Sequence, residues 1–122
     1  MSINQFEGEY PCILMVCSAG ILRSPTAAEV GVEFGWNTRA VGAMRSYALT
    51  PVNAQLLMWA HKILCMTEEH KLEILSRYTG LRVEEKIIVL GIEDNYNFRE
   101  VRLQDILRAK FKEIDENIQS GL

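Results

Sequence analysis

The chain has 122 residues, of which 48% are hydrophobic, and this is enough for one hydrophobic core, so we expect a single domain over residues 1–122. Thirteen basic and 16 acidic residues give a net charge of −3, which argues against a broad surface for nucleic acid and requires any anion site to be positive only locally. No apolar run approaches the roughly 20 residues that span a bilayer, and the N-terminal segment lacks the layout of a signal peptide, so we expect a cytoplasmic protein that does not act at a membrane.

The first predicted strand is the apolar run Cys12–Cys17, whose unbroken hydrophobicity is typical of a strand buried on both faces. A loop of small residues follows it. We expect a helix next, with Ser24 as its N-cap, Pro25 in its first position and Gly35 at its end.

Three more strand–helix units are predicted along the chain. The alternation predicts an α/β fold with a four-stranded parallel sheet between two layers of helices, in which ligands bind beyond the carboxyl ends of the strands. The predicted strands are residues 38–43, 62–66 and 86–92. The predicted helices are residues 50–60, started by Thr50 and Pro51; a helix capped by Thr67 that ends near Gly80; and a last helix with Val101, Leu103, Ile106, Leu107, Phe111 and Ile114 on one buried stripe.

The loop between the first strand and the first helix carries a thiol and a guanidinium. Cys17 ends the strand, and the curved backbone that follows can direct several N–H groups inward as a nest for a tetrahedral oxyanion. The same field favours the thiolate form of Cys17. Arg23 offers paired donors that match two phosphoryl oxygens, and Gly20 tolerates the positive φ that an inward-curling loop requires.

The segment VCSAGILRSPTAAEV, residues 16–30, resembles the signature of the low-molecular-weight protein tyrosine phosphatases, a Cys-x5-Arg-Ser loop usually followed by Pro-x-Ala-Glu. The segments LLMWAHKILCMTEEH and IIVLGIEDNYNFREVRLQDIL resemble the corresponding parts of the shorter bacterial members. The resemblance therefore covers nearly the whole chain from Cys12 to Leu107. It implies a doubly wound parallel sheet with strand order 2-1-3-4.

The resemblance also implies a two-step reaction in which a cysteine takes the phosphoryl group and water then releases it. Cys17 would be the nucleophile, Arg23 the phosphate clamp, and Ser24 the hydrogen-bond partner of the thiolate. Asp94 would protonate the leaving phenol and then activate water. The residues expected to surround the phosphate or substrate are Ser18, Ala19, Gly20, Ile21, Leu22, Ser24 and Tyr96.

Asp94 is also indicated by its position, because it follows the fourth strand and so lies on the same rim as Cys17. We expect the rings of Tyr96 and Phe98 to enclose it partly, so that it can hold the proton that it donates. The other interpretation is that Asp94 is only a polar turn residue beside Asn95.

The chain departs from the family pattern at three places. Asn95 follows the acid where many members have proline. Ala19 and Gly20 stand where an asparagine and a glycine commonly stiffen the loop. Leu22 replaces the second cysteine that many relatives carry before the arginine, so no adjacent disulfide can form there. These changes bear on catalytic efficiency more than on the fold.

Several other residues have simpler interpretations. The chain has three cysteines, Cys12, Cys17 and Cys65. Their odd number and the lack of C-x-x-C spacing indicate neither a disulfide framework nor a zinc site. Cys65 is expected in the core, and Cys12 lies about 16 Å from Cys17 along the strand. His61 and His70 are expected at the surface or in caps, and Trp59 in the core. Arg45 and Tyr47 are candidates for the rim of the cleft.

The sequence thus predicts a phosphatase that acts on aryl phosphates, either phosphotyrosine in a protein or a small aryl phosphate. Inorganic phosphate and vanadate are expected ligands, and no metal or cofactor is expected, because Arg23 and backbone amides supply the positive field. Two alternatives remain. One is a protein that binds phosphate or a phosphoprotein with little catalysis, and the other is a thiol-dependent arsenate reductase, which needs further cysteines near Cys17.

Overall fold

A computed structural model of the protein describes residues 10–20, 22–44, 48 and 50–120. In these residues, four parallel strands form one sheet in the order β2-β1-β3-β4, which confirms the predicted α/β fold and its 2-1-3-4 order. The elements are β1 (Cys12–Cys17), α1 (Arg23–Glu33), β2 (Asn37–Gly42), α2 (Ala54–Trp59), β3 (Lys62–Cys65), α3 (Glu68–Arg77), a 3-10 turn (Glu84–Lys86), β4 (Ile87–Val89) and α4 (Val101–Ser120).

Strand β1 lies at the centre of the sheet and is buried along its whole length. Ile13 and Met15 face one hydrophobic cluster, which includes residues of α1 and α4, whereas Leu14 and Val16 face a second cluster on the other side of the sheet. Because side chains of a strand alternate between its two faces, a strand between two helical layers must be apolar at every position. This explains the unbroken run CILMVC.

The carboxyl ends of the strands are joined by hydrogen bonds that continue past the strands themselves. Ala43 donates its N–H to the Cys17 carbonyl at 2.8 Å, and Met66 donates to the Val16 carbonyl at 2.9 Å. Ile92 donates to the Met66 carbonyl at 2.7 Å. These bonds tie residues that follow β2, β3 and β4 to the neighbouring part of the sheet, so that Cys17, Met66 and Ile92 lie side by side at its rim.

Helix α1 begins at Arg23, two residues earlier than predicted, so Pro25 is its third residue and not its first. Leu22 is its N-cap residue and Ser24 lies in the first turn, so the prediction of Ser24 as N-cap is wrong. The Leu22 carbonyl accepts hydrogen bonds from both the backbone N–H and the hydroxyl of Thr26. The Ser24 hydroxyl is therefore not needed as a cap and is directed at the end of the sheet.

Helix α2 begins later than predicted. Residues 50–52 extend along the end of β2, where Gly42 donates to the Thr50 carbonyl at 2.8 Å and accepts from the Val52 N–H at 3.0 Å. The N-cap is Asn53, whose side chain accepts the Leu56 N–H at 2.8 Å. A helix start at Thr50 is wrong because the backbone there pairs with the sheet.

The remaining differences concern the ends of elements. Thr67 is the N-cap of α3 as predicted, but this helix ends at Arg77 rather than near Gly80. Strand β4 contains only three of the predicted residues 86–92. The 3-10 turn includes Lys86, and the strand ends at Val89, although Leu90 and Ile92 still donate to the Cys65 and Met66 carbonyls.

Helix α4 packs Leu103, Leu107 and Phe111 into the cluster beneath α1. Val101 is 69% exposed, so its assignment to the buried stripe is wrong; it is the first residue of the helix and lies outside the packed turns. None of the helices in the described part of the chain is both long and apolar enough to cross a bilayer.

Candidate active site

The Cys17 sulfur lies at the carboxyl end of β1 and is held by two neighbours. The Gly20 N–H donates to it at 3.2 Å, and the Ser24 Oγ lies 3.1 Å away. The sulfur therefore lies at the rim of the sheet with one backbone N–H donor and one hydroxyl beside it.

Gly20 shapes this loop. Its φ is +79°, which confirms the expected left-handed conformation, and a Cβ at this position would lie 2.8 Å from the Gly42 nitrogen. A Cβ on Gly42 would in turn lie 2.6 Å from the Ala19 carbonyl carbon. The loop therefore rests on the end of β2 with backbone against backbone, and both contacts require glycine.

The Ser24 hydroxyl lies between two acceptors, the Cys17 sulfur and the Val41 carbonyl, the latter at 3.2 Å. A hydroxyl has one hydrogen to donate. With a protonated thiol, Ser24 can donate to Val41 while the S–H donates to Ser24. With a thiolate, the Ser24 hydrogen can turn to the sulfur, so the site can accommodate either state of Cys17 without moving the backbone.

Arg23 is 2% exposed although it carries a full charge. Its Nη1 donates to the Ile92 carbonyl at 2.7 Å, and its Nη2 lies 3.4 Å from the Ser18 Oγ. Among the described residues, the buried Nε donates no hydrogen bond, and its nearest acidic neighbour is the Asp94 Oδ1 at 3.5 Å. A buried donor without an acceptor is costly, so this N–H is a ready site for an anion.

Asp94 follows β4 and lies against Arg23 on the same rim as Cys17. Its side chain is 61% exposed, so the predicted enclosure by aromatic rings is wrong. Tyr96 packs against the core cluster with Arg102 over its ring at 5.0 Å, and Phe98 stacks with a neighbouring arginine. The rings are engaged with these cations and leave the carboxyl open to solvent.

His70 is a site residue that the sequence analysis assigned only to a cap or the surface. It does cap α3, since its Nδ1 accepts the Thr67 N–H at 3.2 Å, but it is 1% exposed. With Nδ1 as acceptor the proton is on Nε2, which donates to the Ser18 Oγ at 2.9 Å. Burial and, to a smaller extent, the Arg23 charge lower the pKa of His70 to about 4, although the Asp94 charge acts in the opposite direction. A neutral imidazole therefore supports the Cys17 loop.

One sequence signal could have located His70. It stands in the first turn of a helix that starts directly after β3, on the rim where the Cys17 loop also lies. The third helical position commonly closes a capping box, and a side chain there remains near the end of the preceding strand.

The structure places the remaining sequence candidates in different parts of the chain. Ala19 and Leu22 lie in the loop as expected, whereas Ile21, Arg45 and Tyr47 lie outside the described residues. Cys65 is fully buried on β3, and burial raises the pKa of its thiol to about 12.

His61 is exposed, and its Nδ1 accepts the Cys12 N–H at 2.8 Å. Trp59 is partly buried against the second cluster. Neither His61 nor Trp59 is part of the rim that carries Cys17 and Arg23.

Metal-binding side chains do not converge in the described ranges. No group of three or more His, Cys, Asp or Glu residues there is arranged to hold an ion. The charges that meet at the rim are those of Arg23 and Asp94.

Comparisons with known proteins give matches in structure only. No protein-family model matches the sequence, and no curated protein is significantly similar to it. The tyrosine phosphatase Wzb from Escherichia coli K30, solved in complex with phosphate, superimposes with a TM-score of 0.71 at 18% identity, over 88% of this chain and 98% of that one. A protein tyrosine phosphatase from Entamoeba histolytica gives a TM-score of 0.70 at 17% identity, over 92% and 97% of the two chains.

A third similar structure is the YwlE arginine phosphatase from Geobacillus stearothermophilus, with a TM-score of 0.61 at 20% identity and 88% of each chain covered. The match thus extends over most of the chain and of each neighbour. The protein has the fold of the low-molecular-weight protein tyrosine phosphatases.

Proposed function

We propose that the protein is a cysteine-dependent phosphatase that hydrolyses aryl phosphates, with phosphotyrosine in a protein or a small aryl phosphate as its substrate. The observation that carries the proposal is the buried Arg23 Nε, which has no hydrogen-bond acceptor among the described residues and lies beside Asp94. Such a donor, on the rim that also holds the Cys17 sulfur, fits a phosphoryl oxygen.

The phosphoryl group would be held by the guanidinium and by the loop from Ser18 to Leu22. Arg23 is already oriented by the Ile92 carbonyl and by Ser18, so its Nε–H is positioned before the ligand arrives. Inorganic phosphate and vanadate are then ligands of the same site. In support, the similar Wzb structure contains phosphate.

In the first step the Cys17 thiolate attacks phosphorus, an S–P bond forms, and the P–O bond to the phenol breaks. The electron pair of that bond goes to the phenolic oxygen, which takes a proton from the Asp94 carboxyl. Asp94 lies within 3.5 Å of the Arg23 Nε, so an acid there is next to any phosphoryl group bound to Arg23.

In the second step the Asp94 carboxylate takes a proton from water, whose oxygen attacks phosphorus while the S–P bond breaks. The departing sulfur receives the electron pair and is again a thiolate, which the Gly20 N–H and the Ser24 hydroxyl stabilise. Phosphate then leaves, and the free enzyme is restored.

The exposure of Asp94 gives weight to one alternative, a protein that binds the anion without appreciable turnover. A general acid must lie within hydrogen-bond reach of the group that takes its proton, and an exposed side chain is less firmly held there by its surroundings. The arsenate reductase alternative receives no support, because Cys65 is fully buried with its pKa raised to about 12.

The test is hydrolysis of p-nitrophenyl phosphate between pH 5 and 8, without added metal, by the native protein and two variants. We expect Cys17→Ser to abolish turnover and Asp94→Asn to reduce kcat by roughly 10²-fold or more. Cys65→Ala and Glu93→Gln are the matched controls and keep their activity. An inactive native protein whose melting temperature still rises with vanadate would be an anion-binding protein instead.

We also place the protein in the cytoplasm. No disulfide joins Cys12, Cys17 and Cys65, all of which lie in the described residues. A reducing compartment keeps a nucleophilic thiol active. Cell fractionation with a compartment marker tests this location.

A further inference from the structure

Arg99 has a backbone conformation that is rare for its residue type. Its φ is +60°, in the left-handed region, and it lies between Asp94 and the start of α4. Such a conformation costs free energy in a residue with a side chain and persists only where surrounding contacts enforce it. The contacts that Arg99 makes therefore indicate why the chain keeps this conformation.

Four groups hold Arg99 in place. Its N–H donates to the Thr26 Oγ1 at 2.9 Å, and its carbonyl accepts from the Gln104 Nε2 at 2.7 Å. Its Nε lies 3.0 Å from both carboxylate oxygens of Glu29, and its guanidinium lies 4.8 Å from the centre of the Phe98 ring. Thr26 and Glu29 both belong to α1, so Arg99 fastens the loop after β4 to the helix that follows Cys17.

Thr26 extends this connection to the loop that carries Cys17. It is 1% exposed, and its hydroxyl donates to the Leu22 carbonyl at 2.9 Å while accepting the Arg99 N–H. Leu22 directly precedes Arg23. A single buried hydroxyl thus bridges the two loops that supply the Arg23 clamp and the Asp94 acid.

The sheet alone does not provide this bridge. Strands β1 and β4, from which the two loops emerge, are separated by β3. Besides the ion pair of Asp94 with the Arg23 Nε, the loop with Asp94 is hydrogen-bonded to the start of α1 through the Ile92 carbonyl on Arg23 and the Arg99 N–H on Thr26. Asp94 lies between these attachments on an exposed segment.

We propose that Thr26 and Arg99 are positioning residues that hold the Asp94 carboxyl beside the phosphoryl group bound by Arg23. The inference rests on the proposed phosphatase function. Its consequence is selective: loss of the bridge impairs proton donation to the leaving group and leaves anion binding intact.

The test compares two aryl phosphates. Phenyl phosphate has a basic leaving group that needs a proton, whereas 2,4-dinitrophenyl phosphate releases a phenolate that needs none. Thr26→Val keeps the shape of the side chain but removes its hydroxyl, whereas Thr26→Ser keeps a hydroxyl. Thr38→Val is the control, because the Thr38 hydroxyl donates to the Ala28 carbonyl, also on α1, without reaching the Asp94 loop.

We expect Thr26→Val to lower kcat/KM for phenyl phosphate by about tenfold or more, part of the roughly 10²–10⁴-fold that general acid catalysis supplies. The comparison uses kcat/KM because this quantity reports the steps up to release of the phenol, whereas kcat also includes hydrolysis of the S–P bond, in which Asp94 takes part for both esters. The kcat/KM for the dinitrophenyl ester and the affinity for vanadate should stay close to those of Thr38→Val, and Thr26→Ser should recover most of the loss. Equal losses on both esters, or no loss on either, would overturn the inference.

Two variants at the protein surface test the inference if Thr26→Val does not fold. Glu29→Gln weakens the pairing with Arg99, whereas Glu33→Gln weakens the similar pairing of the same helix with Arg108. We expect only Glu29→Gln to reduce phenyl phosphate hydrolysis selectively, by about threefold, in keeping with the small free energy of an exposed ion pair. Identical effects of the two variants would count against the inference.

The outcomes also separate the inference from the function on which it rests. If the native protein hydrolyses neither ester, or if Asp94→Asn has no effect, the proposed function fails and the inference with it. If Asp94→Asn impairs phenyl phosphate selectively but Thr26→Val and Glu29→Gln do not, the function stands and only the positioning role is wrong.

Discussion

The His70 Nε2 lies 2.9 Å from the Ser18 Oγ, and this contact joins the first turn of α3 to the residue after Cys17. The same Ser18 oxygen lies 3.4 Å from the Arg23 Nη2. A neutral histidine on one helix thus holds the acceptor that helps to orient the guanidinium at the start of another.

Replacement of His70 should disturb anion binding unless the new side chain has the same hydrogen-bond pattern. We expect His70→Ala to weaken vanadate binding by about tenfold, roughly the value of one buried neutral hydrogen bond, and His70→Gln to retain most of the affinity. Gln has an oxygen for the Thr67 N–H and an amide donor for Ser18. Calorimetric titration with vanadate measures both.

Helix capping needs its own control, because His70 also caps α3. Asn53→Ala removes the cap of α2 and should cost about 0.5 to 2 kcal/mol of stability without changing vanadate affinity. If His70→Ala behaves in the same way as Asn53→Ala, then His70 acts only as a cap.

Stability should depend on pH through His70. Its pKa is about 4 in the folded protein and 6.5 unperturbed, so the unfolded chain binds more protons between these values. The neutral imidazole therefore makes its full contribution to the free energy of unfolding above pH 6.5. This contribution is lost as the pH falls toward 4, by at most about 1.4 kcal/mol per pH unit. Urea unfolding at pH 7, 6, 5 and 4.5 should show this slope in the native protein and in His61→Gln, but a shallower one in His70→Gln. Equal slopes would refute the assignment.

The loop glycine can be tested against a second glycine with the same backbone angle. Gly20 and Gly35 both have φ of +79°, but a Cβ on Gly35 would meet nothing within 4 Å. Gly35→Ala should cost only the conformational strain, about 1 to 2 kcal/mol. Gly20→Ala adds a backbone clash with Gly42 and should cost more, with loss of vanadate binding. Thermal unfolding of both variants checks this, and equal costs would show that the contact with β2 is unimportant.

Arg23→Lys keeps the charge and removes the planar set of donors. One ammonium cannot replace the bond to the Ile92 carbonyl, the contact with Ser18 and the Nε–H together. We expect the rise in melting temperature that vanadate causes in the native protein to be lost in this variant. The exposed control Arg108→Lys should keep it. A full vanadate response in Arg23→Lys would mean that the anion binds elsewhere.

The cysteines should differ in reactivity. Cys65 is fully buried with its thiol pKa raised to about 12, so it should resist iodoacetamide at pH 8 while the protein is folded. Cys17 should be alkylated, and phosphate should protect it. Mass spectrometry of the labelled peptides distinguishes the sites. Modification of Cys65 before Cys17 would contradict the structure.

The sequence predicted what local patterns determine and missed what distant contacts determine. The apolar run of β1 and the alternation of strands and helices were sufficient for a parallel α/β sheet, whereas its strand order, 2-1-3-4, came from the resemblance to a family. The first turn of α1 was misassigned because the helix already begins at Arg23, and the Ser24 hydroxyl contacts the Cys17 sulfur and the Val41 carbonyl and does not cap the helix. Residues 50–52 pair with Gly42, and no local pattern shows that partner.

The polar links of the rim were invisible for the same reason. Ser18 and His70 are 52 positions apart, and Thr26 and Arg99 are 73 positions apart. Each of these residues has an ordinary local role, as a loop residue, a cap or a helix residue. Only the packing of the sheet brings the partners together.

The bond between Arg23 and the Ile92 carbonyl joins positions 69 residues apart, and this sets an order of events during synthesis. Strand β1 is made first yet lies in the middle of the sheet, so its neighbours arrive later and pair through long crossovers, which slow folding. A ribosome-bound chain that has not yet reached β4 at residue 87 also lacks the Ile92 carbonyl. The Arg23 guanidinium then has no acceptor there and must stay hydrated. The proposed anion site is therefore completed among the last parts of the molecule, although residues 17–23, which carry its signature, are among the first parts translated.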